Sequence, residues 1–393
     1  MERKNEDWAS ILNFQQRTRH PYIMYELIHA IPTCLEGCLR EQKDNIWKIA
    51  EELTRRGIKS IYIIGSGNSF YSAIAGKYAI EKIARITSIP EESFELLHYT
   101  IPSLSNFDNF SNFAVVGISL SGRTKACVDA IKIASEKGGY TIGVVGEPGS
   151  PMERYAKMIV IPRGVRKDVP VRISTFQSVT FTLNLLAVAL REKSKGKDAI
   201  STHLHEQMNN MPKVLRKVIE EVEPFAIELG KKYVTDEDFY FIGGGPNYGT
   251  ALDGALMINE MSRGRPWAWE IEEMCHGPWS TLRRKSIVII ISPPGESHQR
   301  AEMLARAIKD NVGCTIISLV RKGETSELVK KSDYVIEIPE NVDEVLSPIL
   351  YDVPLHLFAY YRAVSGGINP DAHGMDIAGF NQLVRELHPP GWH

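Results

Sequence analysis

The chain has 393 residues, 43% of them hydrophobic and 24% charged, which suffices for two or three packed domains and excludes a disordered or fibrous chain. A net charge of −2 excludes a global electrostatic attraction to nucleic acid or to an anionic membrane surface. Five scattered cysteines (Cys34, Cys38, Cys127, Cys275, Cys314) imply reduced thiols in a cytoplasmic protein rather than a disulfide framework.

The opening MERKNEDWAS is charged and lacks the apolar core of a signal peptide. Residues 1–55 read as an N-terminal helical segment punctuated by Pro21 and Pro32. Within it Ile31, Leu35, Cys38 and Leu39, then Ile46, Ile49 and Leu53, recur at helical spacing. The run Ile61-Tyr62-Ile63-Ile64 predicts a strand that ends in Gly65-Ser66-Gly67, and a helix follows over residues 69–84. Residues 114–118 predict a second strand, followed by a helix over 123–137, with further strands at 141–145 and 158–161. Continuous apolar strands alternating with helices predict a parallel sheet covered on both faces. The apolar stretch 176–190 contains Gln177, Thr180, Thr182 and Asn184; it is too short and too polar to span a bilayer and reads as a buried helix.

The same order then recurs. YIIGSGNSFYSAIAGKYAIEKIA, beginning at Tyr62, lies over YFIGGGPNYGTALDGALMINEMS, beginning at Tyr240. VVGISLSGRT, from Val115, lies over VIIISPPGES, from Val288, and the strand ending at Ile161 lies over the one ending at Ile338. The offsets, 178, 173 and 177 residues, differ little, so the chain reads as a tandem duplication of an α/β lobe. The predicted division is an N-terminal helical segment (1–55), a first lobe (56–195), a helical connection (196–235), a second lobe (236–365) and a C-terminal tail (366–393).

In an open parallel sheet, ligands bind beyond the carboxyl ends of the strands, where backbone N–H groups at helix starts attract anions. Ser119, Ser121 and Thr124, with Gly122 permitting close backbone approach, follow a strand and open a helix, as a phosphomonoester site requires. Gly67 and Ser69 offer a second set of donors. For a single Ser the plain alternative is helix capping; for the whole SLSGRT constellation, phosphate is the better reading. The second copy has Pro294 where the first has Ser121, which removes a hydroxyl and a backbone donor. One phosphate site per chain, in the first lobe, is therefore expected. A dinucleotide site is disfavoured: GSGNSF lacks a third glycine, GGGPNYG places Pro246 at the helix start, and no acidic residue ends a strand about 20 residues on.

The motifs IYIIGSGNSFYSA, GISLSGRTKACVDAI, VRISTFQSVTF, IGGGPNYGTALDGALMINEMS and EEMCHGPWSTL together resemble the sugar-isomerase (SIS) domain family. The likeness is to tandem-SIS proteins such as the isomerase half of glucosamine-6-phosphate synthase and related deaminases and deglycases. The resemblance implies two three-layer αβα lobes. It implies that Ser119, Ser121, Thr124, Ser69 and Ser174 hold a sugar phosphate, that Glu260 is the general base, and that His276 is the ring-opening acid/base. Glu273 and Asp253 fall at supporting positions. It further implies a homodimer in which His276 completes the neighbour's site. The sequence departs from the synthase in three places: Met257 stands where the synthase has Lys, no amide-hydrolysing domain precedes the lobes, and residues 370–393 contain no Lys for a Schiff base. Isomerisation, deamination or deglycation is thus expected rather than glutamine-dependent synthesis.

Asp253, Met257 and Glu260 share one helix face. Moving a proton between C1 and C2 of an open-chain sugar needs one carboxylate within reach of both carbons, and burial in an apolar helix is expected to raise the Glu260 pKa. The competing reading for Glu260 is a surface carboxylate paired with Arg263 or Arg265. His276 precedes Gly277-Pro278 and suits acid/base work at neutral pH; the other histidines read as structural. No cofactor, no metal cluster of zinc-like spacing, no nucleic acid and no membrane partner are expected. Trp267 and Trp269 suggest a site mouth or a subunit contact, and the tail, with His373 and His388, is expected to lie over the active site. A non-catalytic sugar-phosphate sensor is the alternative, which retention of both Glu260 and His276 disfavours.

Overall fold

The computed structural model describes residues 17–103, 110–146, 148–163, 175–236, 238–340 and 342–389. The first lobe contains β1 (Ser60–Gly65), α2 (Asn68–Ala79), β2 (Thr87–Glu92), β3 (Phe113–Ile118), α3 (Lys125–Glu136), β4 (Tyr140–Val144), β5 (Met158–Val160) and α4 (Thr175–Lys195), preceded by the long helix α1 (Ile23–Arg55). After α5 (Ala199–Lys232), the second lobe contains β6 (Phe239–Gly243), α6 (Asn247–Ser262), β7 (Trp267–Glu270), β8 (Ile287–Ile291), α7 (His298–Asn311), β9 (Thr315–Arg321), β10 (Tyr334–Ile338) and α8 (Val353–Ser365). A short helix α9 (Phe380–Leu387) follows.

Both sheets are fully parallel, with orders β2-β1-β3-β4-β5 and β10-β9-β8-β6-β7. Read from the equivalent edge, the two orders are the same, so the duplication visible in the sequence extends to strand topology. In each lobe the chain reverses its direction of winding between the first and third strands. The loops after β1 and β3, and after β6 and β8, therefore open at the switch point where α/β sheets bind ligands.

The central strands are buried on both faces because both sides carry helices, which is why Ile61–Ile64 and Ile287–Ile291 are uninterrupted apolar runs. The core has three parts. One cluster joins the inner faces of both sheets through α1, α4, α5 and α8, and each lobe has a smaller cluster on its outer face. The stretch 176–190 is the buried helix α4 that the sequence predicts. Among the described residues no helix is long and apolar enough to cross a membrane.

Three expectations change. Pro32 does not punctuate the N-terminal segment: α1 runs through it, as α5 runs through Pro212 and Pro224. A proline costs about 3 kcal/mol inside a helix, and the long buried faces of α1 and α5 offset it. The helix after β1 ends at Ala79 and closes in a wider π turn over Ile80–Ala84. Two edge strands, β2 and β7, were not predicted, because they are short and polar or aromatic rather than apolar runs.

The lobes meet where α2 crosses α6. A Cβ placed on Gly249 would lie 2.6 Å from the Tyr71 carbonyl oxygen and 3.1 Å from the Ala75 side chain, so glycine sets this close approach. The crossing brings the first loop of lobe one against a helix of lobe two, and a Cβ on Gly67 would lie 4.0 Å from Leu256 on α6.

Candidate active site

The loop after β3 folds so that its hydroxyls converge. Ser119 Oγ lies 3.0 Å from Thr124 Oγ1 and 3.3 Å from Ser121 Oγ. The backbone N–H groups of Arg123 and Thr124 donate to Ser121 Oγ and Ser119 Oγ. Gly122, at φ +60°, lets the chain turn here, and any Cβ on it would run into the Ser150 side chain. Ser119 is buried and Ser121 half-buried, so the hydroxyls form a recessed cluster at the start of α3. Across the switch point, Gly67 (φ +56°) lets the first loop turn into α2, where Ser69 is buried in the first turn. Ser174 lies outside the described residues.

In the second lobe the equivalent loops are filled by the chain itself. Ser292, the counterpart of Ser119, is 2.9 Å from His298 Nδ1. Asn247, the counterpart of Ser69, donates to Ser347 Oγ at 2.8 Å. The Glu344 carboxylate sits against Gly295, at the place where Gly122 stands in lobe one. Burial raises the Glu344 pKa, opposed by the Lys82 charge and the Glu296 backbone N–H. The asymmetry that Pro294 suggested thus has a second physical cause: an internal carboxylate occupies the lobe-two loop. Glu344 was not singled out in the sequence because it enters from a distant segment.

Glu260 lies near the C-terminal end of α6, and its side chain is 36% exposed. The expected burial is therefore not found: the helix is apolar on the side facing the core, and Glu260 faces out of it. His373 of the tail places Nδ1 3.7 Å from Glu260 Oε2, and Arg263 pairs with Asp376. Tyr71, two residues after Ser69, also faces this region. Burial raises the Tyr71 phenol pKa, and the carboxylates of Asp253, Glu92 and Glu260 raise it further. Tyr71 stands inside the motif read in the sequence, but nothing local distinguished it.

Asp253 is fully buried on the same helix, two turns before Glu260. His356 Nε2 lies 2.7 Å from Asp253 Oδ2 and 2.9 Å from Asp352 Oδ2, and Gln177 donates to Asp352 at 2.5 Å. Burial alone would lower the His356 pKa, but two carboxylates at hydrogen-bond distance outweigh it and push it up to about 10. This triad joins α4, α6 and α8 at the lobe interface. It is the one grouping of metal-ligating side chains found among the described residues, and its geometry sets one imidazole nitrogen between two carboxyl groups.

His276 is not drawn in beside Glu260. It is 67% exposed and lies 3.1 Å from Glu272, which Arg300 also binds. Glu273 is exposed next to it. Trp267 and Trp269 stack at 6.2 Å on edge strand β7, and Trp267 borders a surface cavity of about 560 Å³ with Arg265, Arg283 and Lys285.

Two parallel sheets of matching order, with a converging hydroxyl cluster at the switch point of the first, define a class of tandem α/β proteins. The sequence profile of the SIS domain matches residues 56–189 and 234–365, and the chain belongs to that family. It is 28% identical over 361 residues to a glutamine–fructose-6-phosphate aminotransferase (isomerizing) of Thermococcus kodakarensis, covering 92% of this chain and 58% of that protein. The chain thus spans a little over half the length of that relative. In fold it resembles the C-terminal domain of glucosamine-fructose-6-phosphate aminotransferase from Francisella tularensis, with a TM-score of 0.75, 20% identity, and 89% and 96% of the two chains covered. It also resembles a glucosamine-6-phosphate deaminase from Thermotoga maritima, with a TM-score of 0.60, 22% identity and coverage of 86% and 97%.

Proposed function

We propose that this protein is an enzyme of ketosamine or amino-sugar 6-phosphates, a deglycase or deaminase that transfers a proton between C1 and C2 of the ring-opened sugar. The observation that carries this reading is the placement of the Gly67–Ser69 loop, which faces the hydroxyl cradle across the switch point, against the helix that bears Glu260, seen in the closeness of Gly67 to Leu256 and of Tyr71 to Glu260. Ser119, Ser121, Thr124, Ser69 and Ser174 hold the phosphate, with Gly67 and Gly122 allowing close backbone approach. The far end of an extended sugar then reaches Glu260.

Glu260 takes the carbon-bound proton and leaves an enolamine or enediol; returning a proton to the adjacent carbon releases the amine as an imine that water hydrolyses. The substrate nitrogen itself supplies the imine, which agrees with the lack of Lys in residues 370–393 and with Met257 at the synthase Lys position. His276, supported by Glu273, opens the ring from the neighbouring subunit of a homodimer; its exposure on the lobe-two surface is what such a role requires. No disulfide joins the five cysteines, which agrees with a reducing, cytoplasmic setting.

Incubation with fructosamine 6-phosphates, glucosamine 6-phosphate and fructose 6-phosphate tests the proposal. Release of amine or ammonia is expected from the amino substrates. Interconversion of aldose and ketose alone replaces it with a simple isomerase, and phosphosugar binding without turnover of any of them replaces it with a sensor. In titration calorimetry, Ser121→Ala is expected to weaken phosphosugar binding roughly 10- to 100-fold, the value of one hydrogen bond to a charged group. Ser297→Ala in lobe two is expected to leave binding unchanged; equal losses from both would contradict a single site.

A further inference from the structure

The tail between α8 and α9 is fastened at three points. Asn369 donates to the Arg17 carbonyl, and its side-chain oxygen accepts from the Asp371 N–H. Asp371 accepts the backbone N–H groups of Ile23 and Met24, so it caps the start of α1 across most of the chain, where α1 has no side-chain cap of its own. Asp376 pairs with Arg263, just past the end of α6. Between these anchors His373 is held at φ +46°, a left-handed conformation that histidine adopts more readily than most residues other than glycine, followed by Gly374 at φ +81°. The turn thus places the His373 imidazole over Glu260, at 3.7 Å and partly open to solvent.

We infer that His373 is a positioning residue for Glu260 and relays its proton. Resting on the proposed role of Glu260, the step balances as follows. The Glu260 carboxylate accepts the proton from the substrate carbon, and the electron pair of that C–H bond enters the enolamine. The resulting carboxylic acid passes its proton to neutral His373 Nδ1, and the imidazolium passes it to water. Glu260 is then a carboxylate again, free to act at the second carbon after reprotonation from solvent. The separation of 3.7 Å is one that a small side-chain rotation, or one bridging water, converts into a hydrogen bond when substrate binds. A wall residue without this role could be replaced by glycine or asparagine, which also suit a left-handed backbone, at no functional cost.

The test uses that property. His373→Gly and His373→Asn both suit the backbone at φ +46°, so thermal stability is expected to stay level or rise. Each is expected to lower kcat about 100-fold, the low end of what a positioned proton-transfer group supplies, with KM little changed. Two readouts separate a relay from a merely structural part. Added imidazole is expected to restore turnover to His373→Gly, and in deuterated water both variants are expected to incorporate less solvent deuterium per turnover, since the proton held on Glu260 returns to substrate. Full activity and unchanged deuterium incorporation in both variants, alongside an inactive Glu260→Gln, would overturn the relay and leave the site reading intact. Turnover by Glu260→Gln would overturn the site reading and the relay with it, whereas turnover without solvent exchange by the unaltered protein would overturn the relay alone.

Discussion

Replacing Glu260 with Gln is expected to reduce kcat on the amino-sugar phosphate by about 10²- to 10⁴-fold, the contribution of a positioned general base. Binding of a phosphorylated hexose is expected to remain within about twofold, because the phosphate is gripped by the lobe-one loop rather than by α6. The amide fills the volume of the carboxylate at a half-exposed site and removes only its basicity. The approach to His373 at 3.7 Å changes as well, but a contact this exposed contributes little to stability. Unfolding should therefore shift by less than about 1 kcal/mol. Steady-state kinetics with calorimetry on the same preparation measure both quantities. A variant that binds and turns over like the unaltered protein removes Glu260 from the chemistry.

The second large effect is on stability. His356→Leu leaves Asp253 and Asp352 facing each other without a cation in a site of zero accessibility, and is expected to cost about 3–5 kcal/mol of unfolding free energy. Substituting all three by Leu is expected to recover much of that loss, because an apolar replacement of a buried charge cluster is often neutral. Denaturant titration distinguishes the outcomes, and a single variant within 1 kcal/mol of the unaltered protein contradicts the charge argument.

The pH dependence follows from the same groups. The folded-state pKa of His356, about 10, lies above its ordinary value of 6.5. Its contribution is complete below about 6.5 and is lost as pH rises through about 10. Asp253 is raised to about 7, chiefly by burial and then by the Asp352 charge, so it too holds a proton that the unfolded chain gives up. Both terms make stability fall toward alkaline pH, and the triple Leu variant should lose that slope.

What could be read from the chain depended on how local each feature is. The central strands announce themselves because helices on both faces force apolar, β-branched residues at every position, as in Ile61–Ile64. Edge strand Thr87–Glu92 is paired on one side and carries Pro90 and two glutamates, so no period marks it. The hydroxyl cradle is legible because Ser119 to Thr124 are six consecutive residues on one turn, and the loss of the second cradle is legible at Pro294. The carboxylate of Glu344 that fills it comes from another segment and needs the fold. Asp352 and His356, one turn apart in the apolar run YDVPLHLFAYY, were a usable signal for a buried charge pair, though not for their partner Asp253. The outward placement of Glu260 and its approach by His373 depend on the path of the tail, which no periodicity encodes.

The measurement that bears most directly on this account is a crystal structure of the Glu260→Gln protein soaked with a hexose or fructosamine 6-phosphate. The phosphate should accept hydrogen bonds from Ser119, Ser121 and Thr124, and C1 or C2 should lie about 3–3.5 Å from the residue 260 side chain. A phosphate seated instead on the Ser292–Ser297 loop, or a sugar whose carbonyl end points away from α6, would contradict it.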